Sequence, residues 1–169
     1  DYGYREVGQE YLQNVLNTDK KLDAYDSGRI YYYLGDYQKA YLALEEAKGK
    51  GGVDSYLYLG KAYAATGDYN YASSVYSNYL SKQGPDAEIY NQLGLCEMAK
   101  KDYQKALEAF QAGKQIEGNS LMQTLSFNEI VAYEYLQDYQ KAAVLLKAYL
   151  QNYPDDQTAI REQQFLSTR

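Results

Sequence analysis

Gly35-Asp36-Tyr37-Gln38-Lys39-Ala40 recurs as Gly67-Asp68-Tyr69-Asn70-Tyr71-Ala72, Lys101-Asp102-Tyr103-Gln104-Lys105-Ala106 and Gln137-Asp138-Tyr139-Gln140-Lys141-Ala142. The closing alanines lie 32, 34 and 36 residues apart. Self-similarity at such a period marks stacked repeats, each one supersecondary unit that cannot bury its apolar face alone. Working outward, each string is preceded by a helical pattern. Tyr56, Leu59, Gly60 and Tyr63 fall at i, i+3, i+4 and i+7, one face of a helix. Tyr90-x-x-Leu93-Gly94-x-x-Glu97 repeats that spacing. Gly60 and Gly94 have no side chain and let a partner helix approach closely, and Ala72 and Ala106 play the same part on the second helix. The aspartates Asp36, Asp68, Asp102 and Asp138 suit the N-cap of that second helix. Gly35 and Gly67 supply the tight turn before it, and Lys101 and Gln137 in the same place imply that glycine is not required. Breakers divide the repeats at Gly49-Lys50-Gly51-Gly52, Gly84-Pro85-Asp86, Gly118-Asn119-Ser120 and Tyr153-Pro154-Asp155. The pattern predicts an all-α chain of about ten helices with no strand.

Composition narrows the function. The 169 residues are 46% apolar and 24% charged, as in folded proteins. No apolar run approaches the length of a membrane span. Histidine is absent, which removes imidazole bases, nucleophiles and metal ligands. The single cysteine, Cys96, excludes an internal disulfide and an all-cysteine zinc site. Net charge is -6, from 17 basic and 23 acidic residues, which argues against a nucleic-acid surface. The anomaly is tyrosine, at 23 of 169.

The aromatic-x-x-Leu-Gly-x-x-Tyr string, Ala72-x-x-x-Tyr76, Ala106-x-x-x-Phe110 and the closing Pro154 together resemble the tetratricopeptide repeat over about residues 20–154. The resemblance implies a right-handed α-solenoid with repeat one at 20–52, repeat two at 53–86, repeat three at 87–120 and repeat four at 121–154. Residues 155–169 read as a capping helix with Ile160 and Phe165 turned inward and Arg161, Glu162, Gln163 and Gln164 solvated. Residues 1–19 read as the second helix of a truncated preceding repeat, with Gly8 as its small packing residue. Gly8 precedes Gly28 by only 20 residues, the same interval as Ala40 to Gly60. On this reading the native protein extends further upstream.

Twelve tyrosines (Tyr31, Tyr37, Tyr56, Tyr63, Tyr69, Tyr76, Tyr79, Tyr90, Tyr103, Tyr133, Tyr139 and Tyr149) occupy packing positions, where the ring fills volume and the hydroxyl reaches outward. Tyr2, Tyr4, Tyr11, Tyr41, Tyr71 and Tyr153 read as end or outer-face residues. In the repeat family the first helices line a concave groove that grips extended peptides or amphipathic helices. Mapped onto this sequence, the groove places hold Tyr25, Arg29, Tyr32 and Tyr33 in repeat one and Leu57, Tyr58 and Lys61 in repeat two. Repeat three adds Asn91 and Leu95, and repeat four adds Phe127, Asn128, Glu134 and Tyr135. Tyrosine and arginine are the types enriched at interface hot spots. Chaperone-binding members clamp a C-terminal carboxylate with two Lys, two Asn and an Arg. The corresponding places hold Tyr25, Arg29, Tyr58, Glu88 and Gln92 in one frame. In the next they hold Leu57, Lys61, Gln92, Thr124 and Asn128. Neither frame matches, so a chaperone C-terminal tail is not the expected ligand.

Catalytic signals are thin. Glu45 and Glu46 are helix neighbours and do not face each other. Asp155-Asp156 serves to cap and charge the last helix. The Gly49–Gly52 turn lacks the spacing of a phosphate loop. Cys96 reads as a buried thiol, and no Asp-x-Asp-x-Asp-Gly loop offers a cation site. The expected function is a non-catalytic scaffold without cofactor that binds a protein or peptide. The alternatives are a spacer in a larger protein, self-association through the tyrosine-rich faces, and a carbohydrate or cell-envelope binding module. The tyrosine-rich acidic composition is similar to that of repeat arrays in extracytoplasmic bacterial lipoproteins, which tilts the expected location outside the cytoplasm.

Overall fold

The computed structural model describes residues 2–18 and 21–169, with side chains from Glu6 onward. The expected boundary at 19 and 20 and the side chains of Tyr2 and Tyr4 lie outside the described residues. Among the described residues there are ten α-helices and no strand. They are α1 (Tyr2–Thr18), α2 (Ala24–Leu34), α3 (Tyr37–Ala47), α4 (Gly52–Ala65), α5 (Tyr69–Gln83), α6 (Ala87–Ala99), α7 (Tyr103–Lys114), α8 (Met122–Tyr135), α9 (Tyr139–Asn152) and α10 (Gln157–Leu166). The chain forms two compact units. The first, residues 1–82, holds α1 to α5 up to the last residue of α5, and the second, residues 83–169, holds α6 to α10.

Each repeated Asp starts a second helix. The carboxylates of Asp36, Asp102 and Asp138 accept from the N–H groups of Lys39, Lys105 and Lys141, and Asp68 accepts from Tyr71. Such a bond satisfies one of the four orphan donors at a helix start. The Asp N–H groups themselves donate back at 2.9–3.0 Å to the carbonyls of Tyr31, Tyr63, Glu97 and Tyr133, closing the preceding helix. This turn requires a left-handed residue just before the Asp. Gly35 and Gly67 adopt it at φ of 82° and 86°, and Lys101 and Gln137 adopt it too, at 64° and 63°. The absence of glycine therefore does not relax the turn in the last two hairpins. Lys101 and Gln137 hold a strained conformation there.

The hairpins close by matching a small residue to a bulky one sixteen positions later. A Cβ on Gly60 would lie within 2.6 Å of two ring atoms and the hydroxyl oxygen of Tyr76, and one on Gly94 within 2.7 Å of three ring atoms of Phe110. A Cβ on Gly28 would sit 2.5 Å from Leu44 Cγ. The fourth hairpin carries Ile130 at the equivalent place and meets the branched Leu146, both fully buried in one core cluster with Ala142, Tyr149, Ala159 and Leu166.

The two ends depart from expectation. A Cβ on Gly8 would meet nothing within 4 Å, so Gly8 is not a close-approach glycine among the described residues. On α10 the buried residues are Ala159 and Leu166. Phe165, expected to point inward, is 40% exposed, and Glu162, expected in solvent, is half-buried. Asp156 caps α10 through the N–H groups of Thr158 and Ala159, as its place after Pro154 suggests.

Of the twelve packing tyrosines none is exposed, and Tyr56, Tyr76 and Tyr149 are buried. Tyr41 and Tyr153, assigned to outer positions, instead pack on other rings, Tyr41 stacked on Tyr63 at 4.6 Å between centroids and Tyr153 tilted against Tyr149 at 4.8 Å.

Candidate functional site

In the first unit the groove places of α2 and α4 converge on one aromatic and charged cluster. The Arg29 guanidinium lies 5.2 Å from the Tyr25 ring centroid and 5.3 Å from that of Tyr58. Both rings lie within cation–π range of the guanidinium, and Tyr58 is also hydrogen-bonded to it. Arg29 sits 3.9 Å from the Asp26 carboxylate, while its Nε is buried with no hydrogen-bond partner. An unpaired buried donor is costly and marks a place where an acceptor gains. Tyr25 donates to Asp54 at 3.4 Å, which anchors one ring to the next helix.

The second half of the cluster is a tyrosine lattice. Tyr32 packs edge-on to Tyr33 and Tyr58 at 5.6 and 5.5 Å and tilts against Tyr37 at 5.7 Å. The Tyr33 and Tyr58 hydroxyls share a hydrogen bond of 2.6 Å. That bond, and then burial, push the Tyr33 pKa above its ordinary value, while burial first raises that of Tyr25. Tyr33 remains 54% exposed and forms the open rim. Its part was legible as a groove place, although the hydroxyl pair was not. Lys61 is half-buried on the same helix as Tyr58. Leu57, expected on the groove wall, is only 8% exposed and belongs to the core. Its carbonyl accepts from the Tyr76 hydroxyl at 3.4 Å.

In the second unit the candidates separate. Asn91 is 5% exposed and accepts from Asn128 Nδ2 at 2.9 Å, so one hydrogen bond ties the two amides together. Asn91 is therefore an internal strut and is not presented to a ligand. Phe127 packs on Tyr149 at 5.6 Å as part of the core. Leu95 is 42% exposed on α6. Tyr135 is 56% exposed and stacks on Tyr103 at 4.8 Å. Beside it, Glu134, Tyr139, Glu162 and Phe165 line with Tyr135 an open cleft of about 480 Å³. Tyr139 reads from the sequence as a packing position of the repeat, and Glu162 and Phe165 carry no signal as site residues because no repeat register reaches α10.

Cys96 is buried, and burial first and the Glu97 carboxylate second push its thiol up to about 12. Glu45 is engaged by Lys48 at 3.4 Å and by the Tyr63 hydroxyl at 3.4 Å. Among the described residues no group of three or more His, Cys, Asp or Glu side chains could hold a metal ion, and no helix is long and apolar enough to cross a membrane.

Family models described as Tetratricopeptide repeat match residues 57–120 and 127–156. These are tetratricopeptide repeats. Solved structures carry the same fold. A crystal structure of MamA protein shares 21% identity over 85% of this chain and 78% of that one, at a TM-score of 0.74. MamA 41-end from Desulfovibrio magneticus RS-1 shares 20% over 92% and 89%, at 0.70. The second such domain of the human RPAP3 protein, solved in complex with the HSP70 peptide SGPTIEEVD, shares 15% over 65% and 90%, at 0.58. At these identities the likeness concerns the tetratricopeptide fold. No curated protein sequence matches the chain.

Proposed function

We propose that the chain is a non-catalytic scaffold that binds a segment of a partner protein on the first-helix face of α2 and α4. The observation that carries this reading is the Arg29 guanidinium in cation–π range of both Tyr25 and Tyr58, on a side chain that stays 40% exposed. A cation held against two rings is preorganised, so a partner acceptor meets it at a lower ordering cost. The exposed Tyr33 beside it offers a rigid amphipathic contact of the kind interfaces concentrate. The human RPAP3 domain, solved in complex with an HSP70 peptide, supports a peptide as the kind of partner this fold takes. A chaperone C-terminal tail is not the segment proposed, because the carboxylate-clamp places hold Tyr25, Arg29, Tyr58, Glu88 and Gln92 in one frame and Leu57, Lys61, Gln92, Thr124 and Asn128 in the next.

The test is selection of peptides from a displayed library on the wild-type chain, with counter-selection on a Tyr25→Ala, Arg29→Ala variant of equal helicity by circular dichroism. Peptides that hold the wild type and release the variant support the reading. Peptides that bind both equally refute it.

A further inference from the structure

We infer that the cleft where α8, α9 and α10 meet receives an arginine side chain of a protein partner, with Glu134 and Glu162 as counter-charges and Tyr135, Tyr139 and Phe165 as aromatic walls. It rests on the preceding reading only in taking a protein as the partner. The residues are distinct from the Arg29 cluster, and the chemistry presented is the opposite one.

Four observations converge. The cleft is a formed space of about 480 Å³ lined by three rings and two carboxyls. Aromatic faces with carboxylates at their edge suit a planar delocalised cation, since the ring faces are negative and the carboxylates accept its N–H groups. Glu134 Oε1 is buried and accepts from no N–H or hydroxyl group, the Glu162 carboxyl being the side chain hydrogen-bonded to Glu134. A buried carboxyl oxygen without a donor is the counterpart of the missing guanidinium N–H. The structure already seats such a cation at the rim. The Arg169 guanidinium lies 4.7 Å from the Phe165 ring centroid and 5.7 Å from that of Tyr139. There it lies over two of the aromatic walls. Tyr135 is held in place by its stack on Tyr103 of α7, which gives the cleft a fixed wall.

The carboxyls are primed for this exchange. Burial first, then the Glu162 charge and its hydrogen bond, push Glu134 up to about 7. The groups facing it are Glu162 from α10, Tyr139 from α9 and Tyr135 on its own helix, with Arg169 beyond α10. A guanidinium entering the cleft replaces the shared proton as the counter-charge, so binding releases a proton and tightens as pH rises through 7.

Nuclear magnetic resonance titration of the ring signals of Tyr135, Tyr139 and Phe165 tests the inference, with N-acetyl-arginine amide as the probe. N-acetyl-citrulline amide is the neutral isostere and N-acetyl-lysine amide the compact cation. The arginine probe is expected to give saturable shifts, with the citrulline and lysine probes weaker by about tenfold. Glu134→Gln with Glu162→Gln is expected to weaken the arginine probe by about tenfold, and Phe165→Ala to weaken it without altering that charge dependence. Arg169→Ala is expected to tighten it by removing the resident competitor. Equal binding of arginine and citrulline probes overturns the inference, as does equal binding of arginine and lysine probes. Indifference to the double glutamate variant, or the absence of saturable ring shifts, overturns it as well. Since the probe reports the cleft alone, its failure leaves the Arg29 reading standing.

Discussion

Replacing Gly94 by alanine probes how closely a hairpin's two helices approach. The added Cβ would fall within 2.7 Å of three atoms of the Phe110 ring, which is wholly buried and has no free space to retreat into. Carbon atoms in contact sit near 3.5–4.0 Å, so the ring or helix α7 must move by about 1 Å. Such overpacking costs about 1–3 kcal/mol, and a displacement this large against a rigid ring belongs at the upper end. Alanine returns about 1 kcal/mol through its higher helix propensity. The net expectation is a loss of about 2 kcal/mol, read as a lower urea midpoint by circular dichroism with an unchanged slope. Phe110→Leu removes the clashing ring atoms, so the double variant should lose less than the sum of the two singles, with a coupling of about 1–2 kcal/mol. Gly8→Ala is the control, because nothing lies within 4 Å of its Cβ and only the propensity gain remains. A Gly94→Ala protein as stable as the wild type, or strict additivity with Phe110→Leu, would refute the account of the hairpin.

Further expectations follow from the turns and the buried groups. Lys101→Gly and Gln137→Gly should each raise stability by about 1 kcal/mol, since both side chains sit at φ near 64° and 63°, and thermal unfolding would show it. Glu134 keeps a proton in the folded chain up to about pH 7 that the unfolded chain releases near 4.5, so stability should fall as pH rises across that window. For a carboxyl partly open to solvent the fall is about 1–2 kcal/mol, and Glu134→Gln should abolish it in denaturant titrations at pH 5 and 8. Cys96, buried with its thiol pushed up to about 12, should resist iodoacetamide at pH 8 until denaturant is added, as mass spectrometry would report.

What could be read in advance followed the repeat register. The Asp cap recurs in all four hairpins and the close-approach glycine in three of them, with Ile130 in its place in the fourth, so both were readable as local rules. The same register placed Tyr25, Arg29, Tyr32, Tyr33 and Tyr58 together, because residues on equivalent first-helix turns become neighbours when hairpins stack. It misjudged Leu57 and Asn91, since a groove place adjoins the buried stripe and a small helix rotation moves a side chain from one to the other. Phe165 and Glu162 lay beyond reach for a different reason. The terminal helix has no repeat to fix its phase, and the meeting of Glu134 with Glu162 joins two helices across α9 with no local sequence cue. Lys101 and Gln137 show the limit of residue preference. The backbone hydrogen bonds of the turn impose the left-handed conformation whatever the side chain.

The central claim is that a partner segment seats on the first-helix face of α2 and α4 around Arg29. Amide and side-chain resonance shifts on adding a selected peptide measure this most directly. The account predicts that Tyr25, Arg29, Tyr33 and Tyr58 shift together and that Arg29→Ala abolishes the shifts. Shifts confined to α3 and α5, surviving Arg29→Ala, would contradict it.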